Sequence, residues 1–424
     1  MKSFRFPGAA ISVAVLLAAC SGGTTHTSDE TPEQVAIDAP LAVPPLSSFK
    51  QTPARNLSGQ YTKMSWSDLP GWEQEQANNL WLALVNNCRG LMRPIAGSLT
   101  IPARATPQAW QPVCQAVAES GQPVRSNDAA FVKNFLETHL QPWQVAGANG
   151  SSNMVTGYYE PVVKGSRSQG GAYQWPMYAP PADLLTIDLG GVYPELAGKR
   201  IRGKLEGNKV VPYDTRAQIN AKSDNPPVIA WLDDPVEAFF LQIQGSGRVL
   251  LDNGETLRLA YADHNGRPYT SIGKWLADQG EMPISQASMQ NIKAWAKANP
   301  GRVNEMLNVN QAMVFFRPER VDDENIGPKG AYGIPLIAQR SVAVDPTFVP
   351  LGSPVFLSTT QPGSSTPLQT VVFAQDTGAA IKGAARTDFF WGSGAQAGEL
   401  AGKMKQQGTV WILWPKQAGA PSAR

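Results

Sequence analysis

The sequence predicts a mainly β protein with accessory helices, and three observations carry that expectation. Glycine and proline number 39 and 35 in a chain of 424 residues, and both mark turns more often than helix interiors. Short segments rich in glycine, proline and aromatic residues fill 154–261 and return after Gly330. Sustained helical periodicity is concentrated in 56–145, with only isolated stretches later. The length suffices for two domains, each with its own core.

Residues 1–20 read as a targeting segment and stand outside the fold. Lys2 and Arg5 precede an apolar run from Ala9 to Ala19 that is too short to span a bilayer comfortably. It ends Leu17-Ala18-Ala19-Cys20, the pattern of a bacterial lipobox, which predicts a signal peptide and lipid attachment at Cys20. Ser21, rather than aspartate, predicts the outer membrane, with the protein facing the periplasm. An ordinary secretory signal with an incidental cysteine is the alternative. Residues 21–55 read as a flexible tether of Ser, Thr, Gly and Pro. The net charge of +2 argues against a nucleic-acid partner.

In 72–88, Leu80, Trp81, Leu84, Val85 and Cys88 share one helical stripe. Thr106-Pro107 opens a second helix, with Trp110, Val113, Cys114 and Val117 inward and Gly121 closing it. A third runs from a cap near Ser126 through Phe131, Phe135 and Leu140. Cys88 and Cys114 thus lie on buried faces that can meet as a disulfide in an oxidising compartment; two buried thiols are the alternative. A hairpin is expected between 238–251 and 255–262 across Asp252-Asn253-Gly254, a turn suited to positive φ. Helices are predicted at 271–278 and 285–298. Strands follow at 336–344, 354–357 and 371–374, then a helix at 395–406 and a strand at 409–414.

Three carboxylates stand out near the C-terminus. Asp345 precedes Pro346 at a strand end, and Asp376 precedes Thr377-Gly378; both also fit residues that organise their own turns. Asp388, among Thr387, Phe389, Phe390 and Trp391, is the stronger candidate. Partial burial disfavours its charged form, as a general acid near neutrality requires. A nearby Asp376 would push the same way, and Arg386 or Lys382 against it. In 239–247, an extended reading puts Gln242 and Gln244 on one face beside Gly245-Ser246-Gly247, offering paired amides to sugar hydroxyls. A solvated strand face is the plainer reading. In 156–161, Tyr158 and Tyr159 offer rings to the apolar faces of sugars, or simply pack. His26, His139 and His264 show no metal-ligand spacing, and no cofactor is expected.

Taken in order, segments 156–161, 239–248, 261–273, 308–316, 330–352 and 375–398 resemble the membrane-bound lytic murein transglycosylase A family. The last two resemble its three-aspartate (3D) domain, supplying Asp345, Asp376 and Asp388. The resemblance implies a double-psi β-barrel over 56–162 and 314–416, with N-terminal helices. It also implies a second β-barrel inserted at 163–313, a glycan groove between the two, and a tail at 417–424. Asp388 matches the catalytic acid/base and Asp376 a supporting carboxylate. Asp345 takes a structural role. Thr156, Tyr159, Gln242, Gln244 and Ser246 match groove-lining positions, with Asn310 and Lys382 as further substrate contacts. The implied activity is that of a lytic exotransglycosylase, a carbon–oxygen lyase. It cuts the β-1,4 bond between N-acetylmuramic acid and N-acetylglucosamine in peptidoglycan and leaves a 1,6-anhydromuramoyl end. A monomer is expected, with glycan strands, outer-membrane lipid and cell-wall synthase complexes as partners.

Rival readings differ in testable ways. A serine hydrolase built on Ser246, Asp263 and His264 fits poorly, because the serine lacks a nucleophile-elbow sequence. A non-catalytic peptidoglycan-binding lipoprotein gives Asp388 no acid role. A hydrolytic glycosidase with Asp376 as base predicts reducing-end products.

Overall fold

The computed structural model describes residues 40–50, 54–94, 102–120, 128–147, 153–193, 196, 201–222, 224, 226–321 and 323–424. The expected targeting segment, Cys20, most of the tether, Gly121 and the cap at Ser126 lie outside the described residues.

The chain begins with β1 (Gln60–Lys63), α1 (Leu80–Leu91), α2 (Pro107–Glu119), α3 (Ala129–His139), β2 (Leu140–Ala146) and β3 (Met154–Glu160). Next come β4 (Val162–Ser166), β5 (Trp175–Tyr178), β6 (Leu185–Ile187), β7 (Ile201–Glu206), β8 (Lys209–Pro212), α4 (Arg216–Ala221) and β9 (Val228–Leu232). Then follow α5 (Pro235–Gln244), β10 (Ser246–Leu251), β11 (Thr256–His264), α6 (Ile272–Asp278), α7 (Met289–Ala298), α8 (Val303–Asn308) and β12 (Val314–Arg320). The C-terminal part holds β13 (Ser341–Val344), β14 (Pro354–Thr360), β15 (Pro367–Asp376), β16 (Thr387–Ser393), α9 (Gly394–Lys403), β17 (Lys405–Gln407) and β18 (Thr409–Pro415).

These strands form two large mixed sheets with helices interspersed. The first has nine strands in the order β1-β2-β18-β14-β15-β13-β16-β3-β17. The second has six, β12-β11-β10-β4-β9-β5, and a small third sheet holds β6-β7-β8. Neither large sheet closes on itself among the described residues, which corrects the expected double-psi β-barrel and the expected inserted β-barrel. Closure needs the outer strands to pair at a matched tilt and stagger. Here the nine-stranded sheet ends in strands of four and three residues, β1 and β17, that pair only inward. Such short edges also discourage pairing with other chains.

The main core lies where α1, α2 and α3 cover the nine-stranded sheet, joining Leu84, Trp110 and Leu136 to Phe356, Phe373 and Ile412. The Trp110 and Trp414 rings meet edge to face at 5.9 Å. Thr106 caps α2 through its hydroxyl, which accepts from the Ala109 amide at 3.3 Å, and Pro107 fits the first turn. Cys88 of α1 and Cys114 of α2 form a disulfide with a sequence separation of 26. By loop-closure entropy such a bond contributes about 3 kcal/mol.

Several local expectations need correction, among them the strand read over 336–344, which begins only at Ser341. Residues 238–244 are helical, so the hairpin's first arm begins only at Ser246. The carboxylate of Asp234 accepts from the Val236 and Glu237 amides, Pro235 fits the first turn, and Gly245 at φ 78° ends the helix. These caps outweigh the strand-like alternation of 239–244. The first helix begins at Leu80, with only a 3-10 turn over Trp72–Gln74. The region read as mainly helical also supplies β1 and β2 to the sheet.

The chain leaves the nine-stranded sheet after β3 and enters the six-stranded one at β4. There the fully buried carboxylate of Glu160 accepts from Arg248 Nε at 2.8 Å, Arg258 Nε at 2.7 Å and the Ser393 hydroxyl at 2.6 Å. Both guanidiniums also donate to the Ile326 carbonyl. β12 hydrogen-bonds to β11, so the six-stranded sheet extends to Arg320.

Candidate active site

The site is a row across the nine-stranded sheet. Asp376 on β15 stands opposite Ala343 on β13, Ala343 opposite Asp388 on β16, Asp388 opposite Thr156 on β3, and Thr156 opposite Lys405 on β17. Residues in register across a sheet present their side chains to the same face. The two carboxylates are therefore two strand spacings apart, roughly 10 Å between backbones. β13 places Ala343 between them in register. A register shift between Val342 and Ala343 brings Asp376 into line. Bulges of this kind commonly re-aim a residue beside a site.

Thr156 donates its hydroxyl proton to Asp388 Oδ1 at 2.5 Å. Burial pushes the Asp388 carboxyl above the usual carboxylate range, opposed by the Thr156 hydrogen bond and by the charge of Arg386. Arg386 itself is pinned by the Met154 and Thr387 carbonyls at 3.3 and 2.7 Å. Asp376 Oδ1 accepts from the Ala331 amide at 2.8 Å and the Thr377 amide at 2.9 Å. Burial, with the neighbouring Asp388 adding to it, nonetheless pushes Asp376 up to about 6. Both carboxyls thus hold protons more readily than free aspartate does.

Asp345 sits just behind the row. Its carboxylate accepts from the Thr347 amide and hydroxyl and, through Oδ2, from the Gly383 amide at 3.0 Å. It thereby ties the end of β13 to the loop that leads into Asp388. Lys382 is exposed on that same loop.

The other residues singled out from the sequence are spread more widely. Strand alternation turns Tyr159 to the opposite face from Thr156, where its hydroxyl donates to Met289 Sδ at 3.6 Å. Because 239–244 is helical, Gln242 and Gln244 do not present a shared strand face. Gln242 is buried and accepts from Arg216 Nη2 at 2.7 Å, whereas Gln244 Oε1 accepts from the Tyr159 amide at 3.2 Å. Ser246 opens β10. Asn310 is 3% exposed, and its carboxamide oxygen accepts from the Thr270 and Ala312 amides. The serine-hydrolase alternative is not assembled. Asp263 accepts from Arg202 Nε at 2.7 Å, and His264 Nδ1 accepts from the Gly266 amide.

Tyr158 and Ala343 matter more than the sequence reading allowed. Tyr158 shares the Thr156 face, and its period-two spacing from Thr156 was the available signal. Nothing local to Ala343 could reveal that it faces two acids on two different strands.

An acid with a raised pKa, a hydroxyl donor to it and a second carboxylate in one row are the groups that general acid–base catalysis requires. Comparison with known proteins narrows the class. The MltA specific insert domain matches residues 154–317, and the 3D domain matches residues 340–414. Membrane-bound lytic murein transglycosylase A of Escherichia coli strain K12 is 31% identical over 292 residues, 66% of this chain and 71% of that protein. The monoclinic crystal structure of MltA from Neisseria gonorrhoeae is similar at a TM-score of 0.72 and 35% identity, covering 91% of this chain and 100% of that one. The lytic transglycosylase LtgG of Burkholderia pseudomallei is 41% identical, with a TM-score of 0.57 over 87% of this chain and 99% of that one. The chain belongs to the membrane-bound lytic murein transglycosylase A family.

Proposed function

We propose that Asp388 is the single acid/base of this chain, a lytic transglycosylase that cuts the glycan strands of peptidoglycan. Family membership carries the reaction class. The observation that supports Asp388 is its place in the row: a carboxyl with raised proton affinity, oriented by Thr156 at 2.5 Å.

The chemistry follows with one proton. Protonated Asp388 gives its proton to the oxygen joining N-acetylmuramic acid to N-acetylglucosamine, and the bond from muramoyl C1 to that oxygen breaks. The ionised carboxylate then takes the proton of the muramoyl C6 hydroxyl. Its oxygen bonds to C1 and closes the 1,6-anhydro ring. Asp388 ends as it began, protonated, and no water is consumed. Intramolecular attack has the advantage of high effective concentration. Ordinary glycosidases need a second carboxylate for water or carbon, whereas here the substrate supplies the nucleophile. Asp376, with Oδ1 occupied by two amides, serves as a supporting carboxylate.

Residues toward the six-stranded sheet, Gln244 and Ser246 among them, are read as contacts to more distant sugars, and Lys382 as a contact from the loop above the row. We read the chain as two domains, one around each large sheet, with the inserted one at 163–313 and β12 continuing its sheet. The curated relative is named as membrane-bound. Together with the lipobox at Cys20, this supports an outer-membrane enzyme facing the periplasm and held by lipid on that cysteine. Cell-wall synthase complexes are the protein partners we propose. Mass spectrometry of products from purified sacculi tests the reaction. Muropeptides one water lighter than hydrolysis products are expected, and reducing-end sugars alone would overturn it.

A further inference from the structure

Tyr158 is a buried titratable group at the site for which the reaction above has no use. It lies two residues beyond Thr156 on β3, on the face that carries the row. Its ring packs on Phe390 at 5.1 Å, within a small cluster that includes Leu336, Ala343 and Ile381. The residue is 8% exposed, and among the described residues its hydroxyl makes no hydrogen bond of full geometry. That hydroxyl nevertheless lies against the Asp376 carboxylate and within electrostatic reach of Asp388. Leaving a buried hydroxyl unpaired is costly, so the group has reason to use an acceptor within reach.

Asp376 offers that acceptor. Its Oδ1 already takes two amide protons, whereas among the described residues no amide donates to Oδ2. The groups facing Asp376 are the Ala331 and Thr377 amides, Tyr158 from β3 and Asp388 from β16. β13 places Ala343 between the carboxylates, and the charge of Arg386 acts on Asp388. Burial, with the neighbouring carboxylates adding to it, keeps the phenol protonated, so it donates to Asp376.

We propose that Tyr158 is a positioning residue that holds Asp376 in its ionised form, so that the proton of the site rests on Asp388. Two acids in one row compete for a proton, and the reaction needs it on the acid that faces the glycosidic oxygen. A donor to Asp376 settles the competition without touching the substrate. This inference rests on Asp388 being the acid.

The pH profile of kcat/KM on a defined glycan strand tests it, comparing wild type with Tyr158→Phe. If the working enzyme needs Asp376 ionised, Asp376 sets the acid limb. Losing a hydrogen bond to a carboxylate moves that limb to higher pH by about one unit. In an Asp376→Asn background the same substitution should move no limb. An acid limb that stays in place while the rate drops equally at every pH overturns the proposal, as does equal slowing in both backgrounds. Should Tyr158→Phe melt early, carbon-13 NMR of wild-type Asp376 replaces it. Its titration should be mirrored in the Tyr158 ring shifts, and an unmirrored titration overturns the proposal. An inactive Asp388→Asn beside an unmoved acid limb sinks only the role of Tyr158. An active Asp388→Asn sinks the reading beneath it.

Discussion

At the scale of single residues, the site holds two carboxyls in surroundings that favour their protonated forms. Stability and activity therefore pull apart at Asp376. Its folded-state pKa is raised from 3.8 to about 6, so the folded protein binds this proton more tightly than the unfolded chain. The stabilising contribution is complete below about 4 and is lost as pH rises through about 6. Asp376→Asn keeps an Oδ1 acceptor for the Ala331 and Thr377 amides and removes the charge. It should raise the melting temperature at pH 7 by a few degrees, with the gain shrinking toward pH 5, while slowing glycan cleavage. Calorimetry across that range checks the sign, and a gain that grows on acidification would contradict it. Asp388 stood out in the sequence by its aromatic surroundings, whereas Asp376, before Thr377-Gly378, fitted a turn residue equally well. Their arrangement was not legible. The row joins residues 156, 343, 376 and 388 through strand pairing, and no local pattern encodes a partner more than 200 residues away.

At the scale of elements, β3 is the organising strand, with Thr156 and Tyr158 on the active face and Gly157 against α9. A Cβ at Gly157 would sit 2.7 Å from Trp391 Nε1 and 2.8 Å from the backbone Cα of Ala401. The helix would have to shift from the sheet, since backbone cannot yield as a side-chain tip does. Gly157→Ala should cost about 1–3 kcal/mol in chemical denaturation, and cleavage should fall because β3 carries Thr156. An unchanged midpoint would show that α9 is not seated as described. Helix α5 shows where sequence reading fails at this scale. Residues 239–244 alternate in a strand-like way, yet Asp234-Pro235 at one end and Gly245 at the other are strong helix boundaries. Weighing caps above a six-residue alternation would have found the helix. The capped helices at 107–119 and 272–278 were legible for that reason, whereas the helix read over 285–298 begins only at Met289, behind its Ser288 cap.

At the scale of the whole molecule, the crossing from the nine-stranded to the six-stranded sheet is held by a buried charge cluster. Glu160 accepts from two arginines of the six-stranded sheet and from Ser393 of the nine-stranded one. Removing its charge leaves both guanidiniums buried without their carboxylate. Glu160→Gln should therefore destabilise by about 3–5 kcal/mol. Limited proteolysis should cut near β4 sooner than in wild type, and equal resistance would contradict a clamp at the crossing. The mixed β and helical content was visible from composition and periodicity. Sheet closure was not, because it depends on whether the outermost strands meet, and short edges such as β1 and β17 leave little trace in sequence. The account as a whole turns on one proton donor. Its most direct test is digestion of purified sacculi by wild type and Asp388→Asn, with the products read by mass. Anhydro-ended muropeptides should be released by the wild type and fall by at least about a thousandfold with the amide, while the variant keeps its melting temperature. Release at the native rate by a folded Asp388→Asn would contradict it.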